Sequence, residues 1–332
     1  MRHPQLIVIT PVRNEAWVLE AFLTHCSSWA DRIIVADQHS TDGSREIAQR
    51  FPKVTLIDNP TDEWVENVCR ARLLEEAQQF PGDKIIFALD ADEFLSDRFR
   101  ETAGWNRIMQ SEPNEIFYFR WFNLYGDMSH GKVEGIGAEW AAHYAPAIDL
   151  VAEYRLREQH AVHCQRVPCL EGERCRYTMI EDIRFVHLGN LNMYRMRNKL
   201  DFYQVVNFDK NPHKSSPLSL FRSYTRMLDF SATRLDTPMR LTTADGHDIT
   251  PLVRTSDHGQ HYIGEMVAIL QREGTRKFKK LCIWDNPDLR AAGIDYRPPL
   301  HIRIFHKYLK VTQRHVGSLP VRIIDKLLKK IV

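Results

Sequence analysis

Two aspartates one residue apart, Asp90 and Asp92, followed directly by Glu93, stand at the end of the apolar run Lys84-Ile85-Ile86-Phe87-Ala88-Leu89. A run of that length reads as a buried strand of a parallel sheet. In open α/β sheets, ligands collect at the carboxyl ends of strands. Carboxylates at this spacing can share a hard divalent cation, Mn2+ or Mg2+, and such a cation holds a diphosphate with few protein ligands. Asp90 and Asp92 are therefore candidate metal ligands. The competing reading of the pair taken alone is a solvated acidic turn.

The elements upstream decide between the two. Leu6–Thr10 is a short apolar strand closed by Pro11, and Glu15 to Leu23 has helical spacing. Arg32–Asp37 is a second strand, Ser40-Thr41-Asp42-Gly43 a turn with a helix cap, and Ser44 to Phe51 a helix. Val54–Asp58 is a third strand, ended by Asn59-Pro60, and Asp62 to Phe80 a long amphipathic helix. Strands alternating with helices imply βαβ units and right-handed crossovers. Asp37, Asp58 and Asp90 then cap strands on one sheet edge, and three acidic strand ends on one edge define a candidate site.

Thr10-Pro11-Val12-Arg13-Asn14-Glu15, then Ile34-Val35-Ala36-Asp37-Gln38-His39-Ser40-Thr41-Asp42-Gly43-Ser44, then Leu89-Asp90-Ala91-Asp92-Glu93 resemble the GT-A glycosyltransferases of family 2 in order and spacing. The resemblance covers residues 5 to 95. It implies an α/β fold of the GT-A, Rossmann-like type whose first half binds a nucleotide-diphosphate sugar. It places Pro11, Val12, Arg13, Asn14, Glu15 and Asp37 at the base and ribose. Arg70 or Arg72, in a segment similar to the family's Ala-Arg-Asn helix, would face the diphosphate, although Leu73 here follows Arg72 where the family usually has Asn. Asp90 and Ala91 would lie near the ribose and metal, with Asp92 as a direct metal ligand and His187, at the end of an Asp182–Asn190 strand, completing the site.

Elementary chemistry fits that division of labour. A departing pyrophosphate is neutralised by a metal and an arginine without proton transfer. The plain alternative for the arginines is a solvated helix face, where a pair such as Arg72 with Glu76 contributes only tenths of a kcal/mol. The resemblance also implies inversion, with one carboxylate deprotonating the acceptor hydroxyl. Relatives carry it in a Val-His-Glu segment, and this chain has Ala161-Val162-His163-Cys164 instead. Asp182, Glu181 and Glu171 are the candidate bases, with Glu158 and His163 beside them.

The strand Glu115–Gly126 is aromatic on both faces, so Trp121, Tyr125 and Trp140 are either stacking platforms for an acceptor sugar or ordinary core. His160, His163, Cys164, Cys169 and Cys175 have the ligand types of a structural zinc site but no C-x2-C knuckle. Without a secretion signal the expectation is buried, reduced thiols.

A chain of 332 residues exceeds one typical domain. The expected division is a catalytic domain over 1–200, with a nucleotide-sugar half over 1–100 and an acceptor half over 101–200, and a helical region over 201–332. That region ends in a basic amphipathic helix, Pro320 to Val332, which either lies on an anionic membrane or packs on its own domain. A net charge of +2 counts against a dedicated nucleic-acid binder. No leader precedes the first strand, and no apolar stretch approaches the ~18 residues of a membrane span. The protein is expected in the cytoplasm or at the inner face of a membrane.

These features point to a metal-dependent inverting glycosyltransferase that moves a sugar from a UDP-sugar to a bacterial surface glycan or a lipid-linked acceptor. Two alternatives remain: a phage-type transferase acting on a modified DNA base, and an inactive GT-A glycan-binding or scaffold module. A nucleotidyltransferase is disfavoured because no Gly-rich, Arg-containing loop follows the first strand.

Overall fold

The computed structural model describes residues 4–59, 66–134, 139–157, 165–169, 175–211, 216–225 and 232–329. The first elements alternate as expected: β1 (Gln5–Val12), α1 (Leu19–Ser27), β2 (Arg32–Asp37), α2 (Ser44–Gln49), β3 (Val54–Asp58), α3 (Glu66–Gln78) and β4 (Lys84–Ala88). Then follow β5 (Glu93–Leu95), α4 (Ala103–Met109), β6 (Glu115–Leu124), β7 (His130–Glu134), β8 (Glu139–Tyr144), α5 (Leu150–Arg157) and β9 (Arg176–His187). The remainder is mostly helical: α6 (Met193–Lys210), α7 (Pro217–Thr225), the two-residue β10 (Thr233–Arg234), α8 (Gln260–Glu273), α9 (Pro287–Ala291), α10 (Leu300–Thr312) and α11 (Leu319–Leu328).

One mixed sheet runs β10-β7-β6-β8-β4-β1-β2-β3, with β9 pairing both β6 and β5. Its β4-β1-β2-β3 half is parallel. Ile7, Val8 and Ile9 of β1, Ile33 to Ala36 of β2 and Ile85 to Ala88 of β4 are all fully buried. That continuous burial is why the strands read as unbroken apolar runs, each such side chain contributing about 1.5–3 kcal/mol on leaving water. Val12 lies opposite Asp37, and Asp37 opposite Asp58, so the acidic strand ends do share one edge. The α/β architecture of the GT-A, Rossmann-like type is present.

Helix α1 starts at Leu19, four residues later than its spacing suggests. The preceding amides are engaged elsewhere: Asn14 N donates to Ser40 Oγ, Glu15 N to Ser44 Oγ and Ala16 N to Asp42 Oδ2, each at 2.9 Å. Asn14 itself adopts φ 56°, and its Oδ1 accepts from Thr41 N at 2.8 Å. The loops after β1 and β2 are thus tied together by short polar side chains.

The chain forms two compact units, and their boundary differs from the expected one at residue 200. The first comprises 1–124, 128–189 and 233–254, the second 125–127, 190–232 and 255–332. Residues 233–254, expected within the helical region, return to the first unit. Leu218 to Arg234 has helical spacing in the sequence; α7 is described as far as Thr225, residues 226–231 lie outside the described residues, and Thr233 and Arg234 form β10, which pairs with the edge of β7. Leu235 N donates to Ser129 O at 2.8 Å, and Thr242 Oγ1 to Asp97 Oδ1 at 2.8 Å. Further described contacts in the second unit pack Phe202, Val205, Met266, Leu270 and Phe278 into a core of their own.

His25 joins the returning segment to β5. Its Nδ1 donates to Thr242 O at 2.7 Å and its Nε2 accepts from Leu95 N at 3.2 Å, which fixes a neutral tautomer. Burial pushes its pKa down to about 4, the bond to Thr242 opposing this only in part. The unfolded chain therefore binds a proton between about pH 6.5 and 4 that the folded chain refuses, so stability rises with pH across that window and falls on acidification. The full penalty is on the order of 3 kcal/mol. Urea midpoints taken from about pH 7 to about pH 4.5 should fall more steeply for the native protein than for His25→Asn, and parallel slopes would show that His25 does not titrate this way.

Candidate active site

The site assembles where the short strand β5 pairs antiparallel with the end of β9. Glu93 lies opposite His187, and Leu188 N donates to Asp92 O at 2.9 Å. Asp92 Oδ2 and His187 Nε2 come within 3.4 Å of each other. His187 Nδ1 lies 2.6 Å from Asn123 Oδ1, an acceptor, which suits a proton on Nδ1 and turns Nε2 toward the carboxylate. Trp121 stacks on the same imidazole, with centroids 5.2 Å apart and planes 15° from parallel. A Cβ on Gly189 would meet His187 Nε2 at 2.7 Å and Asp92 Oδ2 at 3.2 Å, so the pair closes over a glycine that must have no side chain. Two acceptors facing each other in this way suit a shared proton or a shared cation, and carboxylate with imidazole is an accepted ligand set for Mn2+. Among the described residues no group of three or more His, Cys, Asp or Glu forms a fuller cation site.

Asp90 is placed differently from Asp92. Arg70 Nη2 donates to its Oδ1 at 2.7 Å and Arg166 Nη2 to its Oδ2 at 2.6 Å. Burial pushes this carboxyl up, but Arg166 and Arg70 together pull it below the ordinary carboxylate range. As the structure stands, both oxygens of Asp90 face guanidinium groups rather than the Asp92–His187 gap.

Glu93 is the hub beneath them, with no exposed surface. Arg166 Nη1 donates to its Oε2 at 2.6 Å, Trp140 Nε1 to Oε2 at 3.1 Å and Trp121 Nε1 to Oε1 at 3.0 Å. Its Oε2 also accepts the Asp90 backbone N–H at 2.9 Å, and Arg166 binds Ala88 O at 3.1 Å. Burial outweighs the attraction of Arg166 and pushes the Glu93 carboxyl above its usual range. This network explains the aromatics: Trp140 is fully buried and Trp121 half-buried, each donating its indole N–H inward. Trp140 is therefore core and not a sugar platform. Tyr125 is buried and belongs to the second unit.

At the β2–β3 end of the same edge, Asp37 is 2% exposed. Its Oδ2 accepts from Ser40 N and from Arg45 Nη1, both at 3.4 Å, while its Oδ1 is buried without a protein partner among the described residues. Asn59, whose backbone N–H donates to Asp37 O at 2.9 Å, is 1% exposed, and neither polar atom of its side chain has a partner among them. Buried polar groups left unpaired cost about 1–3 kcal/mol each, so a cluster of them on one sheet edge marks a place for a ligand. Pro11, Val12, Arg13, Asn14 and Glu15 form the neighbouring rim, with Val12 and Asn14 buried and the other three half-buried.

The remaining sequence candidates fall elsewhere. Arg72 is exposed and pairs with Glu75 at 3.0 Å, along one side of a 200 Å³ cavity with Tyr154 and Arg155. Ala91 is buried between the two aspartates. Glu181 and Asp182 lie where β9 slips register against β6, between Met179 and Arg184. Glu181 pairs with exposed Arg120 at 2.9 Å, and Asp182 accepts from Gly104 N at 2.9 Å at the start of α4. At ~3.3 Å per strand residue, Asp182 stands roughly 16 Å along β9 from His187. Glu171, Glu158, His160, His163 and Cys164 lie outside the described residues. Cys169 and Cys175 form a disulfide with Cα atoms 6.0 Å apart, which corrects the expectation of reduced thiols and removes two thiolates from the zinc set. Cys26 and Cys282 are free and buried, as expected, and Cys69 is buried.

Asn59, Glu93 and Arg166 are the functional candidates that the sequence reading left out. Glu93 stood within the quoted motif, and a glutamate following a buried D-x-D was a usable signal. Arg166 had none, since nothing local marks its partnership with Glu93 across 73 residues.

No curated protein matches the chain in sequence. Solved structures that resemble it include glucosyl-3-phosphoglycerate synthase from Mycobacterium tuberculosis in complex with Mn2+, UDP and phosphoglyceric acid, at 17% identity over 37% of this chain and TM-score 0.28. The match spans 43% of that enzyme's chain, less than half its length. The inositol-1-phosphate CTP transferase of T. maritima matches at 6% identity over 57% of this chain and 91% of its own, with TM-score 0.35. Mannose-1-phosphate geranyltransferase from Thermus thermophilus matches at 12% identity over 59% and 78%, with TM-score 0.34. Residues 7–103, the stretch that carries Asp37, Asn59, Arg70, Asp90, Asp92 and Glu93, match the model of glycosyl transferase family 2.

Proposed function

We propose that this protein is a metal-dependent, inverting glycosyltransferase that moves a sugar from a nucleotide-diphosphate donor, a UDP-sugar, to an acceptor hydroxyl. The observation that carries this reading is the layout of one sheet edge. Buried polar atoms of Asp37 and Asn59 without partners among the described residues stand at one end, and the Asp92–His187 gap at the other, with the arginine-bound Asp90 beside it. A base and ribose at the first end and a diphosphate at the second fit that order. Asp92 and His187 would hold Mn2+ or Mg2+, which when bound supplies positive charge to the departing diphosphate. Asn123 and Trp121 hold the imidazole in place, and Glu93 holds the backbone of Asp90. Asp182, Glu181 and Glu171 are the candidate bases for the acceptor hydroxyl. A lipid-linked or surface glycan is the acceptor class this reading favours, with transfer at the inner face of a membrane.

A hydrolysis screen across nucleotide sugars, with Mn2+ and with EDTA, tests the proposal. Turnover of at least one UDP-sugar is expected in Mn2+ and not in EDTA, and no turnover or binding of any nucleotide sugar in Mn2+ would overturn it. Asp37→Ala should weaken UDP binding about tenfold or more, equally in Mn2+ and in EDTA, because its role is to accept a hydrogen bond from the nucleoside. Equal affinities of variant and native protein in EDTA would remove Asp37 from the site.

A further inference from the structure

The last two described helices carry apolar residues on both faces. On α11, Val321 is buried, Leu328 packs beside Phe305 and Leu309, and Asp325 binds Arg222 at 3.0 Å and the Tyr308 hydroxyl at 2.8 Å. Of the stripe Val321, Ile324, Leu328 and Ile331 that the sequence sets against either lipid or the protein's own domain, Val321 and Leu328 meet the domain, Ile324 is exposed, and Ile331 lies outside the described residues. The opposite side is apolar as well: Leu319, Ile323, Ile324 and Leu327 are 68%, 52%, 42% and 57% exposed. Helix α10 repeats the pattern. Ile302, Phe305 and Leu309 are buried, while Leu300, Ile304 and Val311 lie outward at helical spacing, each more than 60% exposed.

Seven of the eleven exposed large apolar side chains among the described residues therefore lie between Leu300 and Leu327. Concentration on one such segment marks an interaction surface, where scattered exposed residues would not. The charge around it selects the partner. From Arg297 to Lys329 the chain has eight Lys or Arg and one acid, Asp325, which is already paired to Arg222. Arg322 and Lys326 on α11, Lys329 at its end, and Lys307 and Arg314 on or beside α10 are exposed, and Lys310 is exposed but paired with Asp285. A second copy of this chain would set these like charges against each other. An anionic bilayer neutralises them and takes up the apolar side chains.

We infer that the outward faces of α10 and α11 form a docking surface for an anionic membrane. This deepens the lipid-linked acceptor part of the proposed function, yet its readout is lipid binding and does not depend on transfer. In sedimentation with vesicles of phosphatidylglycerol and phosphatidylcholine mixed one to two, the native full-length chain should bind at low salt and leave as salt rises. It should not bind phosphatidylcholine alone. Ile323→Ser with Leu327→Ser should lose binding at every salt concentration. Lys326→Gln with Lys329→Gln should weaken it about 30-fold at low salt, at about tenfold per 1.4 kcal/mol and on the order of 1 kcal/mol per charge. Both variants should keep the native melting temperature and UDP affinity, since the altered side chains are exposed. Absence of native binding at low salt would overturn the inference, as would variants that bind like the native chain. A native dimer that the serine variant splits, seen by sedimentation velocity, would assign the surface to a second copy and overturn it too.

Discussion

Arg166→Ala is expected to cost about 3–5 kcal/mol of stability, the range for removing one partner of a buried ion pair. Arg166 binds both oxygens of Glu93 and one of Asp90, and Glu93 has no solvent exposure with which to replace it. The stranded Glu93 must then take up a proton or admit water, and either disturbs the Asp90 backbone it holds. Urea unfolding at neutral pH measures the loss directly. In Arg166→Met with Glu93→Gln, where both charges go, much of it should return, since replacing a buried pair by neutral groups is often tolerated. A change within about 0.5 kcal/mol for the alanine variant would show that solvent already screens this network.

Asp92→Asn should abolish the Mn2+ dependence of UDP binding and leave the fold intact. The substitution keeps the shape and the backbone bond from Leu188 to Asp92 O. It removes the charge that, with the His187 lone pair, would hold a cation. Calorimetric titration of UDP should give equal affinities in Mn2+ and EDTA for the variant, both close to that of the native protein in EDTA. Native-like enhancement by Mn2+ in the variant would show that Asp92 is not a ligand.

The parallel half of the sheet was legible in the sequence because its strands are buried on both faces and read as apolar runs between turn signals. Asp37, Asp58 and Asp90 were placed on one edge by chain alternation alone. The antiparallel half was less legible, because periodicity names a strand without naming its neighbour. The pairing of β5 with β9, a three-residue strand against a twelve-residue one, is what sets His187 beside Asp92. Trp121 and Trp140 show the same limit: composition marks them as aromatic, and only the fold shows that both indoles donate to Glu93. Asn59 read as a turn residue before Pro60, whereas its burial beside Asp37 is a tertiary fact. Thr237 to Gln260 looks polar and turn-rich in sequence, and nothing local marks the edge of β7 as the destination of the segment that begins at residue 233.

The β5–β9 pairing also bears on the order in which the molecule forms. Asp92 and His187 lie roughly a hundred residues apart, so bringing them together bears the entropy of closing a long loop, on the order of a few kcal/mol. The parallel strands, joined by short crossovers, close smaller loops and can form earlier. During synthesis the segment similar to family 2, residues 7–103, leaves the ribosome before β9 has been made. It then holds both aspartates but neither the histidine nor Arg166, and Glu93 waits without its guanidinium partner. A nascent chain halted before Arg166 should therefore hold Glu93 without its guanidinium partner, with Asp90 keeping Arg70 alone, and the Asp92–His187 pair becomes a marker of completed folding rather than a property of the motif.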